Sequence, residues 1–159
     1  MMSMTAVLKD LSAFAFFGGI EPEALASVAD LFEEGSYPAG TRVIEEGSRG
    51  NRLYIITAGQ AEVRIRRDAP DDAGLENVLT TLGRGETFGE MELLDTQERS
   101  ASVVAVEAAT TLELTNRGLY EIFRRRPDIF RMIMMNLARD LSRRLRHADR
   151  QLASARLGQ

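Results

Sequence analysis

The chain has 159 residues, 44% hydrophobic and 28% charged, which is the size of one domain with enough apolar mass for a core. It holds no cysteine and one histidine, His147; this excludes disulfide scaffolds, thiolate metal sites and multi-histidine centres, and argues against Ser-His-Asp catalysis. The net charge of −4 is split: Met1–Asn116 sums to −11 and Arg117–Gln159 to +7, with arginine supplying nearly all the basic charge.

Three blocks follow in chain order. In the first, Glu21-Pro22 opens a helical stretch with Leu25, Val28, Ala29 and Phe32 on one face, proline being well suited to a first helical position. Phe14, Phe16 and Phe17 stand before it as core plugs. The apolar run Leu11–Ile20 is too short to span a membrane, and Lys9-Asp10 before it gives no basic leader. A cytoplasmic location without membrane contact is therefore expected.

The second block is punctuated by glycines and predicts strands at Arg42–Glu45, Arg52–Thr57, Ala61–Arg67, Asn77–Leu82, Ala101–Val106 and Thr111–Thr115. Alternation turns Ala61, Val63 and Ile65 inward. Many short strands at this spacing argue for a sandwich or barrel-like roll. Asp68–Gly74 reads as a polar hairpin loop.

The third block is helical. Asn116 is the expected N-cap of a helix over Arg117–Arg126, and Pro127 ends it or restarts the chain into a longer helix from about Asp128 to Ala155. Along that helix Met134, Ala138, Leu141, Leu145, Ala148, Leu152 and Ala155 are spaced 4, 3, 4, 3, 4 and 3, a heptad seam suited to a two-fold partner. Ile129, Ile133 and Leu137 form a second stripe, facing the chain's own roll. The arginines here either line the wet face of the helix or meet an anionic partner.

The chemistry concentrates between Gly83 and Val103. Gly89 lets the backbone approach a ligand or turn left-handed, and Glu90–Leu94 can form a helical turn whose N–H groups suit a phosphate. Arg99 can grip a phosphate with its planar fork, and an ionised Glu90 can accept from a hydroxyl such as a ribose 2′-OH. The competing reading is a plain Glu90–Arg99 salt bridge between glycine turns.

Phe88-Gly89-Glu90-Met91, Leu93-Leu94 and Arg99-Ser100-Ala101 resemble the phosphate-binding cassette of cyclic nucleotide-binding domains. Gly40 and Gly47 around Val43-Ile44, the Leu53–Ile56 strand, and Gly59 before Val63 match the same family. The resemblance covers about Phe14 to Leu152. It implies an α+β fold: an antiparallel β-roll, a double-stranded β-helix of jelly-roll type, flanked by N-terminal helices and a long C-terminal helix. A single domain over 1–159 is expected, with helices at 1–32, the roll at 33–116, the cassette at 88–101 and helices at 117–157.

By the same resemblance Glu90 would hold the ribose, Arg99 the cyclic phosphate, and backbone N–H groups of Gly89, Glu90, Met91, Glu92, Ser100 and Ala101 would complete the phosphate site. The Ser100 hydroxyl would touch phosphate or base. Arg143, Arg144 or Leu145 would cover the base. Glu92 departs from the family, which has a small residue there. Pointing inward, its carboxylate would repel the anion by ~1–4 kcal/mol; pointing outward it leaves binding intact, and the outward arrangement is expected.

The expectation is a cyclic nucleotide sensor, cAMP ahead of cGMP, that relays binding through its C-terminal helices. No enzymatic activity, cofactor or metal is expected. Its partners would be the nucleotide, a second copy and an unidentified downstream protein. The alternative is a nucleotide-silent module for dimerisation or docking. A DNA-binding regulator is not expected, because the chain ends within the long helix, and a cupin-type enzyme would need more histidines.

Overall fold

The computed structural model describes residues 4–158, apart from the side chains at 4–6 and at position 92. Helix α1 spans Met4–Leu11, and a 3-10 turn at Ala15–Phe17 follows. Phe16 and Phe17 are buried there, edge to face at 4.9 Å. Helix α2 runs only over Pro22–Ala26, with Pro22 in its first turn, and a 3-10 turn takes Ala29–Leu31. The continuous helical face expected from Glu21 to Phe32 is therefore corrected. Val28, at φ −124° and ψ 3°, leaves helical geometry, and Phe32 opens a strand.

Eight strands follow among the described residues: β1 Phe32–Tyr37, β2 Arg42–Ile44, β3 Arg52–Ala58, β4 Ala61–Arg66, β5 Glu76–Leu82, β6 Thr87–Phe88, β7 Ser102–Ala105 and β8 Ala109–Thr115. They form two four-stranded sheets, ordered β1-β8-β3-β6 and β2-β7-β4-β5. Every pairing is antiparallel. The architecture is thus the expected α+β roll between N-terminal helices and a long C-terminal helix. Strand β3 is apolar on both sides, as a strand buried on both faces requires. Leu53 and Ile55 join the helix-facing core, while Tyr54 and Ile56 fill the roll with Ile44, Leu82, Phe88 and Val103.

Helix α4 is Asn116–Arg125 and helix α5 is Pro127–Leu157. The N-cap of α4 is Thr115 rather than Asn116: Gly118 N donates to Thr115 Oγ1 at 2.9 Å, satisfying an otherwise orphaned donor. Pro127 sits in the first turn of α5, where it costs no hydrogen bond. Ile129, Ile133 and Leu137 are buried against the N-terminal aromatics, and Asn136 Nδ2 donates to the carbonyls of Phe16 and Gly18 at 3.0 and 2.9 Å. This fixes the first part of α5 against the N-terminal segment.

Candidate functional site

The site is built from the loop after β6. Phe88 stacks on Tyr54 with ring centroids 4.7 Å apart, which anchors the end of β6 inside the roll. Gly89 then turns with φ +78°, and a Cβ on it would lie 2.8 Å from Arg99 Nη1. Only glycine meets both conditions without strain. Helix α3, Glu90–Asp95, starts directly after it.

Arg99 is buried, at 4% exposure. Its backbone is pinned to the β2–β3 loop: its N–H donates to Ser48 O at 2.7 Å, and its carbonyl accepts from Gly47 N at 2.8 Å. Its guanidinium donates from Nη1 to Gly89 O at 2.9 Å and from Nη2 to Arg52 O at 3.0 Å. Gly50 leaves room for it, since a Cβ there would stand 2.3 Å from Nη2. The fork is thus held in place at the cassette, and a guanidinium oriented in advance loses little further entropy on meeting a partner. The strand after it begins at Ser102, one residue later than expected, so Ser100 and Ala101 belong to the loop.

Glu90 is 2% exposed, yet it is an acid. A buried carboxylate needs a cation or several donors, and one cation comes from α5: Arg144 Nη1 donates to Glu90 Oε1 at 2.9 Å. Arg144 Nη2 donates to Thr87 O at 2.6 Å and stands 2.9 Å from Asp140 Oδ2, an ionic contact off the line of a hydrogen bond. A single guanidinium therefore joins the middle of α5 to both β6 and the cassette. Tyr54, beneath this region, has its hydroxyl pKa pushed up by burial first and then by the Glu113 carboxylate, so it stays a neutral phenol.

Above these residues lies a cleft of about 840 Å³, within the usual ~300–1,000 Å³ range of small-molecule sites. Phe88, Gly89, Glu90, Met91, Arg99, Ser100 and Ala101 all line it, as do Arg143 and Arg144. Leu145 does not reach it: that side chain is 64% exposed on another face of α5. The Glu92 side chain, on which the expectation of an outward carboxylate bears, lies outside the described residues. His147 and Gln151 line the cleft and were not singled out from the sequence. Their signal is present there: Asp140, Arg144, His147 and Gln151 are spaced 4, 3 and 4, a polar stripe running beside the apolar seam. Among the described residues no group of acids and histidines is arranged to hold a metal ion, and no helix is long and apolar enough to cross a membrane.

The family model described as cyclic nucleotide-binding domain matches residues 34–126. The chain is 39% identical over 136 residues to the cyclic AMP receptor protein of Thermus thermophilus, covering 86% of this chain and 59% of that protein. The crystal structure of the Thermus thermophilus catabolite activator protein superposes with a TM-score of 0.75 at 38% identity, covering 87% of this chain and 61% of the other. A cyclic nucleotide-binding domain from Methylobacillus flagellatus superposes with a TM-score of 0.80 over 95% of this chain and 83% of its own, at 24% identity, a likeness of fold. The chain thus spans about three-fifths of the length of the Thermus relative.

Proposed function

We propose that this chain, which belongs to the cyclic nucleotide-binding domain family, is a sensor that takes cAMP in preference to cGMP and relays its presence through α5. The family is a binding and regulatory one, not a catalytic one. The observation that carries the reading is the meeting of Arg99, Glu90 and Arg144 in one cleft. Arg99 would hold the cyclic phosphate, since a planar guanidinium matches two phosphate oxygens. Glu90 would accept from the ribose 2′-hydroxyl. Because Arg144 already donates to Glu90, a ligand hydroxyl and α5 address the same carboxylate. That shared acceptor gives occupancy a route to the helix.

The name of the Thermus relative supports cAMP as the ligand. His147 and Gln151, on the α5 face of the cleft, are among the polar side chains that would be available to a base. The exposed seam of Leu145 and Leu152 supports self-association through α5. The cytoplasm is the proposed location, and the downstream partner would be a protein that reads the position of α5.

Calorimetric titration of the chain with cAMP and with cGMP tests the reading. Saturable one-to-one binding, tighter for cAMP, supports it. Absence of heat with both nucleotides, backed by an unchanged melting temperature, would favour a silent docking module. The family-atypical glutamate at position 92 supports that second reading.

A further inference from the structure

The sheet β1-β8-β3-β6 carries an acid on the face it turns into the roll. Glu113 of β8 stands directly across from Tyr54 of β3 in the strand register, so both project to the same side. Glu113 is 6% exposed, and three donors converge on it. Tyr37 Oη donates to its Oε1, Thr111 Oγ1 donates to the same atom at 3.0 Å, and Arg52 Nη1 donates to Oε2 at 2.9 Å. Burial first, and then the bond to Glu113, push the Tyr37 phenol pKa up, which keeps it a donor. On β1, Gly35 makes room, since a Cβ there would collide with Glu113 Oε1 and Thr111 Oγ1. Three strands build the place for this carboxylate.

An ion pair in such a place adds little stability over apolar side chains of similar size, yet breaking it is costly, so what it secures is position. The position secured is that of Arg52, whose side chain and main chain meet different partners. Its guanidinium is held by Glu113 and, toward solvent, donates to Glu33 Oε2 at 2.7 Å. Its carbonyl lies beyond the β3–β6 pairing, which covers Tyr54 and Ile55. There it accepts from Arg99 Nη2 at 3.0 Å, and a Cβ on Gly89 would also stand 3.0 Å from it. One residue thus joins the acid in the roll to the buried arginine of the cassette.

We propose that Glu113 is a positioning residue for nucleotide binding: by holding the Arg52 side chain it fixes the carbonyl against which the Arg99 fork is aimed. The proposal rests on the nucleotide reading above. Glu113 and Arg52 do not line the cleft, so the effect reaches the ligand only through Arg99.

Calorimetric titration of the whole chain with cAMP tests this in wild type, Glu113→Gln and Glu33→Gln, with Glu113→Gln repeated in an Arg99→Lys background. The expected result is affinity lower by about threefold to tenfold in Glu113→Gln, but by less than about twofold in the Arg99→Lys background, which has no fork to aim. Glu33→Gln, at the exposed end of the same guanidinium, should stay within about twofold of wild type. A carboxylate that only supports the fold would lower affinity equally in both backgrounds, and that result overturns the proposal. So does an equal loss in Glu33→Gln, or wild-type affinity in a folded Glu113→Gln chain. If Glu113→Gln unfolds, Arg52→Met combined with Glu113→Gln takes its place in both backgrounds, since the pair leaves no charge buried alone. A wild-type chain that binds neither cAMP nor cGMP overturns the nucleotide reading itself, whereas wild-type binding without loss in the variants overturns this inference only.

Discussion

Along α5, residues 129–137 and residues 141–157 share one helix but not one means of attachment. The first stretch buries Ile129, Ile133 and Leu137 against the N-terminal aromatics, each worth about 1.5–3 kcal/mol in transfer free energy. No residue of the second stretch is buried. Its link to the cassette, among the described contacts, is the one side chain of Arg144, which is half-exposed and reaches the buried Glu90. A helix segment held this lightly sits at the low end of local stability. The tie also runs through Glu90, one of the two side chains proposed to hold the nucleotide. What is packed by apolar contact fixes the fold, and what is tied by one side chain is held more lightly.

The largest expected effect falls on the ligand side of that contrast. Arg99→Ala removes the cassette's buried cation, and losing one partner of a desolvated charge pair costs ~3–5 kcal/mol. Calorimetry should find nucleotide affinity lower by roughly two to three orders of magnitude. Arg99→Lys should restore part of it, because an ammonium keeps the charge without the planar fork. If Arg99→Ala binds as wild type does, the nucleotide does not reach this part of the cleft.

Ile133→Ala attacks the packed stretch instead. Ile133 is fully buried, and truncating such a side chain costs about 2–5 kcal/mol of stability. The urea midpoint should fall accordingly. Nucleotide affinity of the folded fraction should stay within about threefold, because no cleft residue changes. A large affinity loss without loss of stability would show that the two stretches are not separable.

How much of this was legible beforehand depends on distance along the chain. The cassette is contiguous, so Phe88–Ala101 could be read from local order and from its resemblance to a family. Strands β3 and β4 announce themselves through an apolar run and through alternation. Strand β1, Phe32–Tyr37, does not: Glu33-Glu34-Gly35-Ser36 is polar and broken by glycine, and it forms because β8 pairs along its whole length. Strand β6 is two residues long, too short for any periodicity. The Arg144–Glu90 bond joins positions 54 apart, and nothing local in either segment names the other. The cleft-facing stripe Asp140, Arg144, His147 and Gln151 has the polar pattern of any solvated helix face, and only the fold sets it against the cassette. Leu145, a candidate lid only as the neighbour of Arg144, projects from another face of the helix and does not line the cleft.

A smaller effect is expected at the shared acceptor. Glu90→Gln keeps an oxygen that can accept but removes the charge, and hydrogen bonds to charged groups exceed neutral ones by about 1 kcal/mol. Affinity for the ribonucleotide should drop about fivefold to tenfold. A 2′-deoxy analogue should bind both proteins equally, having no hydroxyl to lose. If the deoxy analogue also weakens, Glu90 acts by shaping the loop and not by holding the ribose.

The sharpest probe of the comparison comes from Arg144→Gln. Glu90 is buried but glutamine can still donate one hydrogen bond to it, so overall stability should fall by about 1–2 kcal/mol. The consequence should be local. Without Arg144 bridging Glu90 and Thr87, the second stretch loses its tie to the cassette, while Ile129, Ile133 and Leu137 remain packed. Amide hydrogen exchange should accelerate across residues 141–157 and stay unchanged across 129–137. Uniform acceleration along all of α5 would mean the helix opens as one unit, and the division drawn between its halves would be wrong. No change at either end would mean that the second stretch holds its place without the arginine, leaving Glu90 with no lever on the helix.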